Sequence, residues 1–264
     1  MSHSLTASGA TGAPGAAQEP GPDVETSSEG YARRFAGGVG AWFLEAQARI
    51  TLDLLAPWPR ARVLDVGGGH AQLTGPLVEA GYDVTVYGSS DVCATRVRPW
   101  TTDGRARFRS GRLERLAAAD REFDVVLSYR LLPHVEAWRG LVGELCRVAA
   151  RAVLVDYPTR RSLNAVAGPL FEMKRGVEGD TRPFLVFADA DVRAAFLASG
   201  FEPTAREPEF VWPMALHRAI GIAALSRLAE AASSRLGLRK AVGSPVVRIA
   251  SAGVSPSRPC AIWQ

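Results

Sequence analysis

The chain has 264 residues, of which 47% are hydrophobic, a length and composition that suit one α/β domain with a large core. The formal net charge of +4 comes almost entirely from arginine, spread along the chain without an appended basic module, which argues against nucleic-acid binding. Three cysteines without a C-x-x-C pair suggest neither a disulfide framework nor a zinc knuckle, and no metal site is expected. No apolar run is long enough to span a membrane and no secretion signal is recognisable, so we expect a cytoplasmic protein.

Two regions precede the first predicted strand. Residues 1–29 are rich in small and polar residues and contain no aromatic residue, which predicts a disordered tail. Residues 30–264 are predicted to form a single domain. Within it, Tyr31–Phe35 is predicted to be a short helical piece, and a longer helix follows and ends before Pro57. The apolar face of that longer helix consists of Trp42, Phe43, Ala46, Ile50 and Leu54.

A strand, a glycine turn and a helix follow one another directly. Val63–Val66 is an apolar run that predicts a buried strand, although it contains Asp65, whose carboxylate is costly to bury without a partner. Three glycines at 67–69 remove every Cβ from the next turn, so a ligand can approach the backbone closely. A helix is predicted after them, with Gly81 as its stop. This sequence of elements is typical of a nucleotide-cradling α/β unit.

Strands and helices then alternate to the end of the chain. Further strands are predicted at residues 82–87, 105–108, 123–128, 151–156, 201–211 and 246–250, and helices at 90–97, 141–149, 189–199 and from Pro213 onward, with a loop from Gly111 into Leu113–Ala119. The alternation predicts a Rossmann-like, doubly wound sheet that is mostly parallel, with an antiparallel C-terminal strand and helices on both faces. A ligand then belongs at the C-terminal ends of the strands. Residues 159–187, with a helix near Val166–Met173, and residues 213–236 are predicted to form a lid.

Several motifs resemble those of class I S-adenosylmethionine-dependent methyltransferases, in particular the ubiquinone-type (UbiE-like) small-molecule group. Val63–Gly69 (VLDVGGG) is similar to the first motif of that family, and Phe123–Ser128 (FDVVLS) to its fourth-strand motif. Leu131–Val135 and Glu144–Val148 are similar to the "L-x-H-V … E-L-x-R-V" run that follows. The resemblance covers roughly residues 31–160 and implies S-adenosyl-L-methionine as the cofactor.

The resemblance also implies a set of site residues. The backbone at Gly67 and Gly69 would lie against the methionine part of the cofactor, Asp65 would orient its amino group, and Tyr31 would close the pocket from the N-terminal side. The positions implied for cofactor binding are Tyr31, Asp65, Val66, Gly67, Gly68, Gly69, Gly88, Ser89, Arg112, Leu113, Ser128 and Tyr129.

The main departure from the family pattern is at the end of the second strand. Members usually have an acidic residue there that accepts hydrogen bonds from both ribose hydroxyls, and this chain has Gly88. The loss of such an acceptor weakens binding by about 1–3 kcal/mol. Neighbouring Ser89, Ser90 and Asp91 are candidates to replace it. A second departure is Arg112, which stands where an acidic residue often contacts the adenine, and a third is Ala71 in place of the usual glycine.

Methyl transfer needs a base only when the acceptor atom carries a proton, as in a phenol. His134 is the first candidate for that catalytic role and Tyr129 is the second, because both follow the fourth strand. Apolar and aromatic residues in the predicted lid favour a small hydrophobic or aromatic acceptor. They are Leu170, Phe171, Phe184, Phe187, Trp212 and Met214.

Two other classes of function stay open from the sequence. Gly88 and Arg112 also suit a catalytically degenerate methyltransferase fold that acts as a binding or partner protein. An NADP-dependent oxidoreductase would suit the missing acid, but Gln72 stands where its fingerprint needs a third glycine, and Asp65 is unusual in its first strand. A nucleic-acid methyltransferase is disfavoured because no N-P-P-Y-like motif is present. The sequence does not indicate an oligomeric state.

Overall fold

The structure is a computed structural model that describes residues 21–162 and 184–253. Seven strands form one sheet: β1 Arg62–Val66, β2 Asp83–Gly88, β3 Ala106–Ser110, β4 Phe123–Ser128, β5 Ala149–Tyr157, β6 Phe201–Pro208 and β7 Val246–Ala252. The helices in these residues are α1 Pro22–Thr26, α2 Glu29–Ala32, α3 Gly37–Leu55, α4 Thr74–Glu79, α5 Arg98–Thr102, α6 Trp138–Val148, α7 Asp189–Ala198, α8 Met214–Ile220, α9 Ala223–Arg235 and α10 Leu238–Val242. None of them is long and apolar enough to cross a membrane.

The sheet has the strand order β3-β2-β1-β4-β5-β7-β6. Strands β1 to β5 pair in parallel, whereas β7 is antiparallel to both of its neighbours. The predicted fold class is therefore confirmed. Because the order of connection reverses between β1 and β4, a crevice opens at the C-terminal ends of these two strands, where ligands bind in folds of this type.

The sheet has an apolar core on each face. Along β1, Val63 and Leu64 point to opposite faces, as successive residues of a strand must, and both are fully buried. Leu64 belongs to the core under α6 and α7, and Val63 to the core under α3 and α4. Strands that are buried on both faces have nearly continuous apolar sequences. The sequence therefore predicts β4 and β5 correctly as strands.

A third, smaller core lies beside the sheet and is rich in aromatic side chains. It joins the N-terminal part of α3 to the region around α8 through Phe35, Trp42, Phe43 and Phe210. His217 of α8 is buried against these rings, and its Nε2 lies 3.0 Å from Glu230 Oε1 in α9. The pair joins α8 to α9.

The predicted N-terminal tail differs from the structure over its last residues. Residues 22–26 and 29–32 form the short helices α1 and α2, and Asp23, Thr26 and Ser27 are buried. Pro22 suits the first turn of α1, and the Ser28 hydroxyl caps α2 by accepting from Tyr31 N at 3.1 Å. A disordered tail was predicted from the composition of residues 1–29 as a whole, which does not reflect the helix signals at Pro22 and Ser28. Residues 1–20 lie outside the described residues.

Other element bounds also needed correction. The helix predicted at 90–97 is a 3-10 turn, Asp91–Ala94, with Ser90 as its cap, and Pro99 lies in the first turn of α5 instead of ending a helix. The long helix predicted from Pro213 divides into α8 and α9 at Gly221, which has a φ of +70°. The helix predicted near Val166–Met173 lies outside the described residues.

Candidate functional site

The candidate site is built on the turn that follows β1. Gly67 has a φ of +77°, a conformation that glycine adopts without strain, and its N–H donates to the Tyr87 carbonyl at 2.8 Å. A Cβ at Gly68 would collide with the Asp65 carboxylate, and one at Gly69 would collide with the Ser27 hydroxyl. The three glycines therefore permit close approach on both sides of the turn.

Asp65 lies directly beneath this turn. It is 2% exposed, and its Oδ1 atom has no hydrogen-bond partner among the described residues. Burial, with a smaller contribution from the charge of Asp156, raises the pKa of Asp65 to about 7. A buried carboxylate with a free oxygen atom is a costly feature, and a cationic or hydrogen-bonding ligand would satisfy it.

The cavity beside Asp65 has room for about one water molecule. It encloses about 10 Å³, whereas ligand pockets are commonly about 300–1,000 Å³. The N-terminal segment contributes Thr26 to its lining, and the rings of Tyr31 and Phe35 pack on His70, another lining residue, at 5.6 and 5.4 Å. The cavity is lined by Thr26, Asp65, Gly67, Gly68, His70, Gln72, Tyr129 and Arg130.

A cluster of buried polar side chains adjoins the cavity. Gln47 Nε2 of α3 donates to Glu209 Oε1 at 2.8 Å and to Asp156 Oδ2 at 3.3 Å, and Arg130 N donates to Asp156 Oδ1 at 2.5 Å. Burial raises the pKa of Asp156 to about 6. Burial and the charge of Asp156 raise the pKa of Glu209 to about 8. At neutral pH Glu209 therefore retains a proton that an exposed carboxyl group would have lost.

The two candidate catalytic residues have different surroundings. The Tyr129 hydroxyl is buried and lies 2.8 Å from Thr51 Oγ1, and burial raises its pKa well above the ordinary value of 10. It keeps its proton at neutral pH. His134 is half-buried in the 3-10 turn Leu132–His134 after β4, and its ring packs on Phe184 with centroids 5.7 Å apart. His134 thus meets the described end of the predicted lid.

The other predicted cofactor residues include both buried and exposed side chains. The Ser128 side chain is fully buried at the end of β4, and Val66 is buried so that its backbone alone can face a ligand. The Arg112 guanidinium is exposed and pairs with Glu114 at 3.5 Å. Leu113 beside it is 6% exposed.

The site also contains residues that the sequence analysis missed. Arg130 Nη1 is buried without a partner among the described residues, and its guanidinium stacks over Phe35 at 4.0 Å. The backbone of Arg130 has a φ of +59°, a conformation that the sequence does not indicate. Gln47 and Glu209 are brought in from distant parts of the chain, and Asp23 lies in the segment predicted to be a tail. Within residues 21–162 and 184–253, no group of three or more His, Cys, Asp or Glu is arranged to hold a metal ion.

Comparisons with known proteins agree with this geometry. A family model described as a methyltransferase domain matches residues 64–153, which run from β1 into β5. No curated protein sequence matches the chain. The fold is similar to that of magnesium protoporphyrin IX methyltransferase from Synechocystis PCC 6803, solved with bound S-adenosylhomocysteine: the TM-score is 0.58, the identity 16%, and the match covers 86% of this chain and 96% of that one.

Two further solved structures share the fold. One is the 1,6-didemethyltoxoflavin-N1-methyltransferase of Burkholderia thailandensis, with a TM-score of 0.56, 15% identity and coverage of 87% of this chain and 84% of that one. The other is the [4+2]-cyclase SpnF, with a TM-score of 0.54, 19% identity and coverage of 79% and 81%. Residues 64–153 therefore match a methyltransferase domain, and the fold of the chain is one that solved methyltransferases share.

Proposed function

We propose that this protein transfers a methyl group from S-adenosylmethionine to a small acceptor with an apolar, aromatic body. The cofactor supplies an electrophilic methyl group on a sulfonium. The protein's own task is to align the acceptor with that methyl group and to exclude water, and such alignment alone contributes about 7–11 kcal/mol to the lowering of a barrier.

The observation that carries the proposal is the Asp65 carboxylate beneath the glycine turn. Its unpartnered Oδ1 is buried where β1 ends, beside backbone that carries no side chains. An α-ammonium group fits this atom, because a cation restores the hydrogen bond and the charge pairing that burial removes. Ser128, whose Oγ is also buried without a partner among the described residues, offers a second polar contact at the end of β4.

Calorimetric titration with S-adenosylhomocysteine tests the cofactor site. We expect micromolar binding by the wild-type chain and an affinity about 10-fold to 100-fold lower for Asp65→Asn, the effect of losing one charged hydrogen bond. Asparagine brings no charge into the buried site, so the variant should fold. Asp83→Asn is the matched control, because Asp83 is exposed at the opposite end of the sheet. Absence of binding by the wild-type protein would favour the degenerate fold instead.

The aromatic cluster beside the glycine turn supports an aromatic acceptor. The Phe35 ring packs on His70. The guanidinium groups of Arg130 and Arg218 lie over the Phe35 ring, 4.0 and 5.5 Å from its centroid. On the other side of β4, Phe184 packs on His134. An acceptor that enters between these groups would contact ring faces and cations, which suits a planar molecule with a partial negative charge.

His134 remains the candidate base for an acceptor that carries a proton. Tyr129 keeps its proton at neutral pH, so we assign it a hydrogen-bonding role instead. The test is methyl transfer to a panel of small phenols and hydroxylated heterocycles, followed by mass spectrometry across pH 5 to 9. If His134 acts as the base, His134→Gln lowers kcat and removes the fall in rate at acidic pH, while KM for the cofactor stays unchanged. An unaltered pH profile would remove His134 from the mechanism.

A further inference from the structure

The end of β2 has no room for a side chain. In nucleotide-binding α/β folds an acidic residue about twenty positions beyond the glycine turn accepts hydrogen bonds from the ribose, and Gly88 stands at that place. A Cβ at Gly88 would lie 2.6 Å from Cys93 Cβ and 3.1 Å from Phe108 Cζ. An acid on β2 itself is therefore excluded by packing, not merely missing from the sequence.

A carboxylate nevertheless lies at this place, and it comes from α1. Asp23 Oδ2 accepts from the backbone N–H of Ser89 at 2.7 Å and from Cys93 Sγ at 3.5 Å. Asp23 is fully buried, and its Oδ1 has no hydrogen-bond partner among the described residues. Asp23 thus has one oxygen atom held by the β2 turn and one left for another donor.

The helix that carries Asp23 is seated on the glycine turn. The hydroxyl groups of Thr26 and Ser27 donate to the Asp23 carbonyl at 3.1 and 2.7 Å, which fixes the C-terminal end of α1. Ser27 packs against Gly69, and Thr26 lines the small cavity beside Asp65. One short segment therefore connects the end of β2 with the turn after β1.

We propose that Asp23 is the ribose-recognising acid of this protein, delivered from the N-terminal segment in place of a residue on β2. This inference rests on the proposed cofactor site. A ribose hydroxyl that donates to Oδ1 would satisfy a buried carboxylate oxygen that otherwise carries a full desolvation penalty. Since the cavity is too small for a nucleoside, the segment moves outward for entry and recloses with Asp23 on the sugar.

Binding of S-adenosylhomocysteine and of its 2′,3′-dideoxy analogue, measured by calorimetry, tests the role of Asp23. We expect the wild-type chain to prefer the natural ligand at least 10-fold. Asp23→Asn should bind S-adenosylhomocysteine about 10-fold to 50-fold more weakly and the dideoxy analogue with unchanged affinity. Asp103→Asn is the matched control, because Asp103 is exposed, precedes β3 and accepts from Arg105 at 2.8 Å. It should behave as the wild type.

Several results would overturn the inference. Equal affinity of the wild-type chain for both ligands would show that no acid recognises the ribose, and this measurement needs no variant. An equal loss for both ligands in Asp23→Asn would make Asp23 a structural residue. Tighter binding of S-adenosylhomocysteine by Asp23→Asn would show that Asp23 stabilises the closed position of α1 and does not recognise the ribose. Failure of the wild-type chain to bind either ligand would instead refute the proposed function, and with it this inference.

Discussion

Replacement of Glu209 by glutamine should stabilise the protein, and increasingly so as the pH rises. Glu209 is 5% exposed, and its pKa is raised from an ordinary 4.5 to about 8 by burial and by the charge of Asp156. Glutamine keeps the Oε1 atom that accepts from Gln47 Nε2 at 2.8 Å. The substitution therefore removes the titrating proton while it preserves the shape and the hydrogen bond.

The sign and the size follow from proton linkage. Between about pH 4.5 and 8 the folded protein holds a proton on Glu209 that the unfolded chain has released, so the free energy of unfolding falls as the pH rises. Each pH unit in this window costs about 1.4 kcal/mol. The advantage of Glu209→Gln should therefore be under about 1 kcal/mol at pH 5, about 3 kcal/mol at pH 7, and level off above pH 8.

Urea unfolding followed by tryptophan fluorescence at pH 5, 7 and 8.5 measures this advantage. Glu207→Gln is the matched control, because Glu207 lies in β6 and is exposed. It should change the free energy of unfolding by less than about 0.5 kcal/mol at every pH. A stability difference between Glu209→Gln and the wild type that stays constant with pH would refute the claim that Glu209 is protonated in the folded state.

Two further substitutions probe the turn and its support. Gly69→Ala places a Cβ where the Ser27 hydroxyl lies and should raise the Kd for S-adenosylhomocysteine at least 10-fold in calorimetry, whereas Gly140→Ala, which meets no atom within 4 Å, should leave it unchanged. Tyr129→Phe removes the hydroxyl that bonds Thr51 and should lower the free energy of unfolding by about 1 kcal/mol in urea titration; no loss would show that this bond contributes nothing.

The fold could be predicted from the sequence because its evidence is local. The apolar runs of β4 and β5 are long enough to identify strands buried on both faces, and the glycine turn marks where β1 meets its helix. The turn also located Asp65, since a carboxylate inside an apolar strand needs a reason. Each of these features could be predicted from residues that are neighbours in the sequence.

The remainder of the site depends on residues far apart in the chain. Gln47 and Glu209 meet only when α3 packs beside the end of β6, and no pattern within either element indicates that contact. Asp23 was hidden for a different reason. Average composition decided the prediction for residues 1–29, whereas a few buried residues at the end of that segment decide its structure.

The proposed position of the ribose-binding acid on α1 couples cofactor binding to closure of the N-terminal segment over the site. An acid on β2 would be fixed in the sheet whether or not a ligand is bound. Asp23 instead lies on a five-residue helix, which is too short to be stable by itself and depends on its contacts with the turn. Segments with few such contacts open at low free-energy cost. If Asp23 accepts from the ribose, the same contact that recognises the sugar also orders the cover, so cofactor binding and exclusion of water become a single step.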